Sequence, residues 1–136
     1  MKVQQWMTRQ VITLKPQDSL QHAHDRLRKY RINQFPVVRD GTLVGVITDR
    51  DVRDAYPSRL RHIRNADVEE FAAEHTVEQI MTREFITINP EATIREAALC
   101  LRQHRFGALP VVERSTLVGI ITRSDILEAV LASERS

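Results

Sequence analysis

Short apolar runs alternate with helical stripes of apolar residues along this chain. Residues 11–14 and 85–88 are rich in residues that favour strands, and a proline follows each run two residues later, so each run predicts a short strand. Behind each predicted strand, apolar residues recur every three or four positions, as one face of a helix requires. The two stripes are Leu20, Ala23, Leu27 and Tyr30, and then Ile94, Ala97, Ala98 and Leu101. Ser19 and Thr93 precede the stripes and are predicted to cap the two helices.

A pair of β-prone runs follows each helix. Residues 35–38 and 109–112 predict buried strands, and residues 43–48 and 117–122 predict their antiparallel partners. In the first pair the connection contains Asp40-Gly41, which is a strong hairpin signal. Closing helices are predicted to begin near Asp49 and Arg123. The order strand, helix, strand, strand, helix therefore occurs twice, and the fold class is α+β.

The second block is a copy of the first. Residues 6–52 overlay residues 80–126 without a gap, at an offset of 74, and 20 of the 47 paired positions are identical. A long period that occurs only twice favours two packed copies of one unit over a solenoid. Because about 60 residues bury too little surface to be stable alone, the copies are expected to share a core. The predicted organisation is a first motif at 1–57, a linker at 58–75 and a second motif at 76–136.

The linker has structure of its own in this prediction. Tyr56-Pro57-Ser58 is expected to break the first closing helix. Residues 67–75 then predict a short helix with Val68, Phe71 and Ala72 on one side. We expect this segment to pack on the two copies or on a partner.

Length and composition narrow the class of protein. The chain has 136 residues, of which 42% are hydrophobic and 28% charged, and it lacks the run of about 18 apolar residues that a membrane span needs. No apolar segment of a signal peptide follows Met1-Lys2, and the single Cys100 rules out an internal disulfide. We therefore expect a soluble cytoplasmic protein. The net charge of +2 is too small to indicate nucleic-acid binding by itself.

The best candidates for a binding role lie where strand gives way to helix. Thr48 and Asp51 stand three residues apart there, and Thr122 and Asp125 repeat the arrangement. A carboxylate accepts hydrogen bonds and donates none, which suits a vicinal diol such as the 2′ and 3′ hydroxyls of a ribose. A helix start also offers amide donors to an anion, and the preceding glycine permits close approach of a ligand. The alternative is structural: Thr48 or Asp49 caps the helix, and the carboxylate of Asp51 interacts favourably with the positive end of the helix dipole.

Taken together, these motifs resemble a CBS-domain pair, the regulatory unit called a Bateman module, over nearly all of the chain. The matching elements in each copy are the Met-Thr opening, the Ile-Thr strand with its proline, the Pro-Val-Val strand and the closing Gly-x-Ile-Thr-x-x-Asp. Met81-Thr82, residues 48–51 and the linker start at 56–58 are similar to the AcuB-like group of bacterial proteins. The resemblance implies two tandem CBS motifs that pack with pseudo-twofold symmetry into one module.

The resemblance also implies site residues. In similar modules the Asp holds an adenosine ribose and the Thr contacts ribose or phosphate, which maps to Thr48, Asp51, Thr122 and Asp125. The base lies between apolar residues and meets main-chain groups, which maps to Thr13, Val37, Thr87 and Val111. Many modules that bind charged nucleotides carry a basic residue just before the Pro-Val strand, where this chain has Asn33-Gln34 and Gly107-Ala108. Arg50 and Arg123, or Arg31 and Arg105, could supply that charge, or they could be surface arginines.

The implied function is a non-catalytic regulatory module that binds AMP, ADP, ATP or an S-adenosyl compound and alters a separate effector protein. A homodimer is also implied. We find no nucleophile with a base and no cluster of metal ligands, so we predict no enzyme, no catalytic cofactor and no metal site. One alternative is a ligand-free dimerisation or protein-interaction module. Another is nucleic-acid binding through the basic run Arg59–Arg64, which lacks interleaved aromatic residues.

Overall fold

The structure is a computed structural model, and it describes residues 1–30, 33–56 and 65–134. Its helices and hairpin strands follow the predicted order, with two additional one-turn helices. They are α1 (Val3–Trp6), α2 (Leu20–Tyr30), β1 (Gln34–Arg39), β2 (Thr42–Thr48), α3 (Asp49–Ala55), α4 (Asn65–Glu74), α5 (Val77–Ile80), α6 (Ile94–His104), β3 (Ala108–Glu113), β4 (Thr116–Thr122) and α7 (Arg123–Glu134). The α+β class and the tandem repeat are confirmed. The helix predicted at 67–75 is confirmed as α4.

The chain divides into two compact units that exchange the openings of the two copies. The central unit is Ile12–Phe85, and the terminal unit joins Met1–Val11 to the chain from Ile86 onwards. The opening of the second copy, which includes α5, therefore lies in the central unit, and the opening of the first copy, which includes α1, lies in the terminal unit. The motif boundaries predicted at 57/58 and 75/76 follow the sequence repeat and stay a prediction.

In the central unit β1 and β2 form an antiparallel hairpin, with Phe35 opposite Ile47 and a register shift between Val37 and Val38. The core contains side chains from both copies, because Val77 and Met81 pack into the cluster built mainly by the first copy. Its buried members are Leu14, Leu20, Ala23, Leu27, Phe35, Val37, Ile47, Val52, Ala72, Val77 and Met81.

The terminal unit repeats this arrangement with β3 and β4, and its register shift lies at the equivalent place, between Val111 and Val112. Val3 and Met7 from the opening of the first copy complete its core. The buried members are Val3, Met7, Ile94, Ala97, Leu101, Leu109, Val111, Ile121 and Ala129. The copies were expected to share a core. The structure has two cores, and each of them contains side chains from the opening segment of the other copy.

The first predicted strand of each copy is shorter than expected. In the structure each of these runs makes one isolated parallel bridge, Leu14 with Val37 and Ile88 with Val111. The amide of Leu14 donates to the Pro36 carbonyl at 3.0 Å, and the amide of Val38 donates to the Leu14 carbonyl at 2.9 Å. The strand prediction was therefore wrong in extent, because only the last residue of each run pairs with the neighbouring strand.

The predicted caps are confirmed. The Ser19 hydroxyl accepts from the amide of His22 at 3.1 Å, and the Thr93 hydroxyl accepts from the amide of Glu96 at 3.0 Å. At the first hairpin turn both Asp40 and Gly41 have positive φ, 52° and 82°, as a mirror-image turn requires. Over the described ranges, no helix combines the length and apolar character needed to cross a bilayer.

Candidate ligand-binding site

Thr48 and Asp51 bind each other reciprocally at the junction of β2 and α3. The amide of Asp51 donates to the Thr48 hydroxyl oxygen at 3.0 Å, and the amide of Thr48 donates to Oδ2 of Asp51 at 2.9 Å. This is a capping box, which satisfies two backbone amides at the helix start. The structural role that the spacing suggested is therefore present, and any binding role must coexist with it.

A third side chain reaches the same carboxylate. The Thr82 hydroxyl lies 3.1 Å from Oδ2 and 3.3 Å from Oδ1 of Asp51 and donates to that group. An antiparallel bridge between Thr82 and Val46 brings it there, with N to O distances of 2.8 Å and 3.0 Å. Sequence reasoning missed Thr82, although its Met-Thr-Arg segment recurs at Thr8 and was a usable signal.

The terminal unit contains the same cluster. The amide of Asp125 donates to the Thr122 hydroxyl oxygen at 3.1 Å, and the amide of Thr122 donates to Oδ2 of Asp125 at 2.9 Å. The Thr8 hydroxyl lies 3.3 Å from both carboxylate oxygens of Asp125. Each unit thus holds two threonines around one half-buried aspartate, and one threonine comes from the opening of the other copy.

The carboxylates keep acceptor capacity. Each accepts one well-placed backbone amide and shares one threonine hydroxyl at a longer distance, whereas a carboxylate offers about four acceptor positions. Among the described residues, no ion pair involves Asp51 or Asp125. Each carboxylate therefore keeps acceptor positions that a further donor could use.

Several of the amides at the two helix starts are already used in hydrogen bonds within the chain. The amide of Asp49 donates to the Asn33 carbonyl at 2.8 Å, and that of Arg123 donates to the Gly107 carbonyl at 3.2 Å. The amides of Asp51 and Asp125 already donate to threonine hydroxyls. These four amides are therefore not available to a phosphate.

The glycine before each site serves packing and not ligand approach. A Cβ added to Gly45 would lie 2.4 Å from Sδ of Met81, and one added to Gly119 would lie 2.7 Å from Sδ of Met7. The methionine that precedes each opening threonine therefore occupies the space that we had expected to be left for a ligand. This contact also fixes the position of the threonine next to it.

The four residues that the resemblance assigned to contact with the base of a nucleoside lie in the same units as the Thr-Asp clusters. Thr13 and Thr87 are exposed, whereas the side chains of Val37 and Val111 are fully buried in the two cores, so the valines can offer a ligand only their main chain. Since Leu14 bridges to Val37 in parallel, Thr13 lies across β1 from β2. Two strand spacings, roughly 10 Å, separate the two sides of β1.

The arginines give little support for a phosphate site. Arg50 is 84% exposed and lies 3.8 Å from Asp54, and Arg123 donates through Nε to the Phe106 carbonyl at 3.1 Å. Arg105 has a left-handed backbone at the end of α6 and an exposed side chain. Arg31 and the run Arg59–Arg64 lie outside the described residues.

A cavity of about 320 Å³ lies elsewhere in the terminal unit. Its walls belong to α6 and α7, and they include neither Thr122 nor Asp125, although Arg123 contributes. The lining residues are Ala98, Leu101, Arg102, Arg123, Ile126 and Leu127. Apart from Arg123, this cavity therefore shares no residue with the predicted ligand site. In the part of the chain that the structure describes, no group of three His, Cys, Asp or Glu side chains could hold a metal ion.

Three solved structures share this fold over nearly their whole length. The Vibrio cholerae AcuB protein is 28% identical with a TM-score of 0.82, and the match covers 100% of this chain and 97% of that one. CBSX2 of Arabidopsis thaliana, in its complex with AMP, is 26% identical with a TM-score of 0.80 and 98% coverage of both chains.

The third is the CBS domain pair of protein MJ0100, which was solved with 5′-methylthioadenosine and S-adenosyl-L-methionine. It is 28% identical, with a TM-score of 0.73, and the match covers 96% of this chain and 99% of that one. The model of the CBS domain matches this sequence twice, at residues 3–58 and 77–132. The resemblance drawn from the motifs is confirmed, and the chain belongs to the CBS domain family.

Proposed function

We propose that this protein is a non-catalytic regulatory module that binds an adenosine-containing ligand at the two Thr-x-x-Asp clusters. The ligand is AMP, ADP, ATP or an S-adenosyl compound. The observation that carries the proposal is the pair of half-buried carboxylates, Asp51 and Asp125, each with spare acceptor capacity. A ribose donates two adjacent hydroxyl hydrogens, and such a carboxylate can accept both.

The relatives support this ligand class, because CBSX2 was solved with AMP and the MJ0100 pair with S-adenosyl-L-methionine. Thr13 and Thr87 lie in the segments that bridge to β1 and β3, on the side of those strands away from β2 and β4. Phosphate is the weaker part of the proposal, since the amides of Asp49 and Asp51 in α3 and of Arg123 and Asp125 in α7 are already paired. An uncharged or cationic group on the 5′ carbon fits the described residues better than a long polyphosphate.

Regulation would follow from a shift in population. A ligand shifts the equilibrium between two conformations only by the difference in its affinity for them, and the shift changes which surface a partner protein contacts. The ligand must share Asp51 with Thr82, which the opening of the second copy supplies, so binding and the position of that opening are coupled. The effector is a separate protein in this proposal, the module forms a homodimer, and the compartment is the cytoplasm.

Thermal-shift screening of adenine nucleotides and S-adenosyl compounds tests the proposal, with Asp51→Asn and Asp125→Asn as the informative variants. Asn can still accept from the amide of Thr48 or Thr122 and so preserve the cap, but it cannot accept two ribose hydroxyls. A ligand at about 100 times its dissociation constant stabilises a protein by about 2.7 kcal/mol, and each Asn variant should lose part of that shift.

The matched control is Glu96→Gln on α6. Thr93 and Glu96 have the spacing of the two sites and a capping hydrogen bond of 3.0 Å, but Thr93-x-x-Glu96 is not one of the predicted binding segments. Ligand binding should be unchanged in this variant. If no adenosine compound shifts the wild type at about 1 mM, the proposal fails.

The second candidate is a ligand-free interaction module, and a specific observation favours it. The capping boxes account for the threonine and aspartate of each site without a ligand. Failure of the screen would leave this candidate. Nucleic-acid binding through Arg59–Arg64 has no support from the described residues, and salt-dependent binding to DNA or RNA that is lost on changing Arg59, Arg61 and Arg64 would be needed to revive it.

A further inference from the structure

Each opening segment holds a methionine against the hairpin that it covers. The chain has three methionines, and two of them, Met7 and Met81, occupy equivalent places at the offset of 74. A Cβ added to Gly119 would lie 2.7 Å from Sδ of Met7, and one added to Gly45 would lie 2.4 Å from Sδ of Met81. In both units the sulfur atom itself, and not only the side chain as a whole, is therefore packed against a strand.

Both of these methionines lie at the edge of an apolar core. Met7 is 9% and Met81 is 8% exposed, whereas Val3 and Val77, the other buried residues of the two opening segments, are fully buried. Hydrogen peroxide is a small oxidant, not much larger than water, so a brief local opening of the segment is enough to admit it. The two thioethers are sheltered from solvent but not sealed from it.

The bridge that follows each methionine leaves no amide for a sulfoxide oxygen. The amides of Thr8 and Ile120 donate to each other's carbonyl oxygens at 2.8 Å and 2.9 Å, and those of Thr82 and Val46 do so at 2.8 Å and 3.0 Å. The methionine side chains pack among apolar residues of the two cores. A buried polar group without a partner disfavours the state that buries it by roughly 10- to 100-fold. Oxidation of the sulfur should therefore disfavour the docked segment.

We propose that Met7 and Met81 are modification sites, which hydrogen peroxide oxidises to the sulfoxide, and that this oxidation releases the opening segment from its hairpin. In the reaction a sulfur lone pair attacks one peroxide oxygen, a sulfur–oxygen bond forms and the O–O bond breaks. The proton on the attacked oxygen passes to the departing hydroxide, which leaves as water. Methionine loses two electrons and the peroxide gains them. Methionine sulfoxide reductases reverse the change, so the release is reversible.

The release would also move the threonine next to each methionine. The Thr8 hydroxyl lies 3.3 Å from both carboxylate oxygens of Asp125, and Thr8 directly follows Met7 in the chain. The Thr82 hydroxyl has the same place beside Asp51, at 3.1 Å and 3.3 Å. Oxidation of one side chain therefore changes the surroundings of one carboxylate in each unit. This holds whether or not the carboxylate binds a nucleoside.

The first test is the rate of oxidation at each methionine, measured by peptide mass spectrometry on the full chain in dilute hydrogen peroxide. Met1, which is 53% exposed, should be oxidised fastest. Met7 and Met81 should react about 10- to 100-fold more slowly, because each reaction awaits a local opening. Equal rates at all three sites in the folded protein would show that the sulfurs are not sheltered. A folded protein that is oxidised only at Met1 would overturn the proposal.

The second test is hydrogen exchange, followed by NMR before and after oxidation. The amides of Thr8 and Ile120 should lose about tenfold or more of their protection when the segment is released. The amide of Leu109, which lies opposite Ile121 in the pairing of β3 with β4, should stay protected. Loss of protection at all three amides would indicate general unfolding, and unchanged protection at Thr8 would show that the oxidised segment stays docked. Either result overturns the proposal.

The matched controls are Met7→Leu and Met81→Leu, because leucine has a similar volume and cannot form a sulfoxide. In Met7→Leu, peroxide should leave the amide of Thr8 protected and still expose that of Thr82, and Met81→Leu should show the reverse. Equal loss at Thr8 in Met7→Leu and in wild type would refute the assignment to Met7.

A permanent polar side chain gives an independent check that needs no peroxide. Met7→Gln places a polar group of similar length at the same position, so it should expose the amide of Thr8 on its own. Treatment of the oxidised wild type with both methionine sulfoxide reductases should restore the protection, and protection that does not return would refute a reversible release. None of these experiments contains a nucleotide, so the ligand proposal can fail while this one holds, and the reverse.

Discussion

The contact between Gly45 and Met81 gives the sharpest prediction about how the two copies are joined within the central unit. An alanine at position 45 would place its Cβ 2.4 Å from Sδ and 2.9 Å from Cγ of Met81. Carbon contacts are comfortable at about 3.5 to 4.0 Å, so the methionine must move by roughly 1 Å. Met81 is only 8% exposed and belongs to the core cluster, so it has little room to do so.

Overpacking of this kind costs about 1 to 3 kcal/mol, with the flexible thioether holding the value below the upper limit. We therefore expect Gly45→Ala to lower the free energy of unfolding by about 1 to 2 kcal/mol. Met81→Ala alone should cost about 2 to 5 kcal/mol, since it removes a buried side chain. In the double variant the methyl group added at position 45 occupies part of the vacated space, so the total should be smaller than the sum by about 1 kcal/mol or more.

Urea denaturation followed by circular dichroism measures the free energy of unfolding of wild type, of the two single variants and of the double variant. Gly107→Ala is the control, because no atom lies within 4 Å of the Cβ it would add and its φ is not positive. It should be neutral or slightly stabilising, by up to about 1 kcal/mol. Additive effects of Gly45→Ala and Met81→Ala, to within about 0.5 kcal/mol, would refute the claim that Met81 takes the place of a side chain at position 45.

Three further predictions follow from other parts of the structure. Gly119→Ala should cost more than Gly45→Ala, because the added Cβ would also lie 3.0 Å from the backbone oxygen of Thr8, and urea denaturation gives the difference. Ser115→Gly should raise the unfolding free energy by about 0.5 to 1 kcal/mol, since Ser115 has φ of 70° and glycine adopts that conformation without strain; an unchanged or lower midpoint in thermal melts would contradict this. Burial, and secondarily the charge of Asp25, raises the pKa of Tyr56 above 10.0. The stability that the neutral side chain contributes is therefore complete below pH 10 and declines as the pH rises through the folded-state pKa. Tyr56→Phe should reduce the loss of unfolding free energy with pH above pH 10. A loss as steep as that of wild type would refute burial of Tyr56 as its cause.

The local elements could be predicted from the sequence because their signals are local. Apolar spacing defined α2 and α6, hydroxyl side chains marked their starts, and Asp40-Gly41 marked the first turn. The second turn, Arg114-Ser115, has positive φ at both residues without a glycine, and only the repeat indicated it. Its conformation is imposed by the β3 and β4 pairing and not by the turn residues themselves.

The exchange of the opening segments could not be predicted in the same way. Thr8 bridges to Ile120 and Thr82 to Val46, and no periodicity along the chain encodes pairing over such separations. Thr8 and Thr82 were missed as members of the Asp clusters for that reason. The Thr48 and Asp51 pair could be placed correctly, because a capping box depends on residues only three apart.

Isothermal titration calorimetry with the best-binding adenosine compound shows whether the two Thr-x-x-Asp clusters hold the ligand, using wild type, Asp51→Asn, Asp125→Asn and the double variant. We expect each single variant to retain the cap and to lose the binding signal of its own unit, and the double variant to lose both. The two residues between the threonine and the aspartate are Asp49-Arg50 in the first copy and Arg123-Ser124 in the second. The two sites should therefore bind the ligand with different affinities, and the two single variants should lose different binding signals. Undiminished binding by the folded double variant would contradict the assignment of the ligand site.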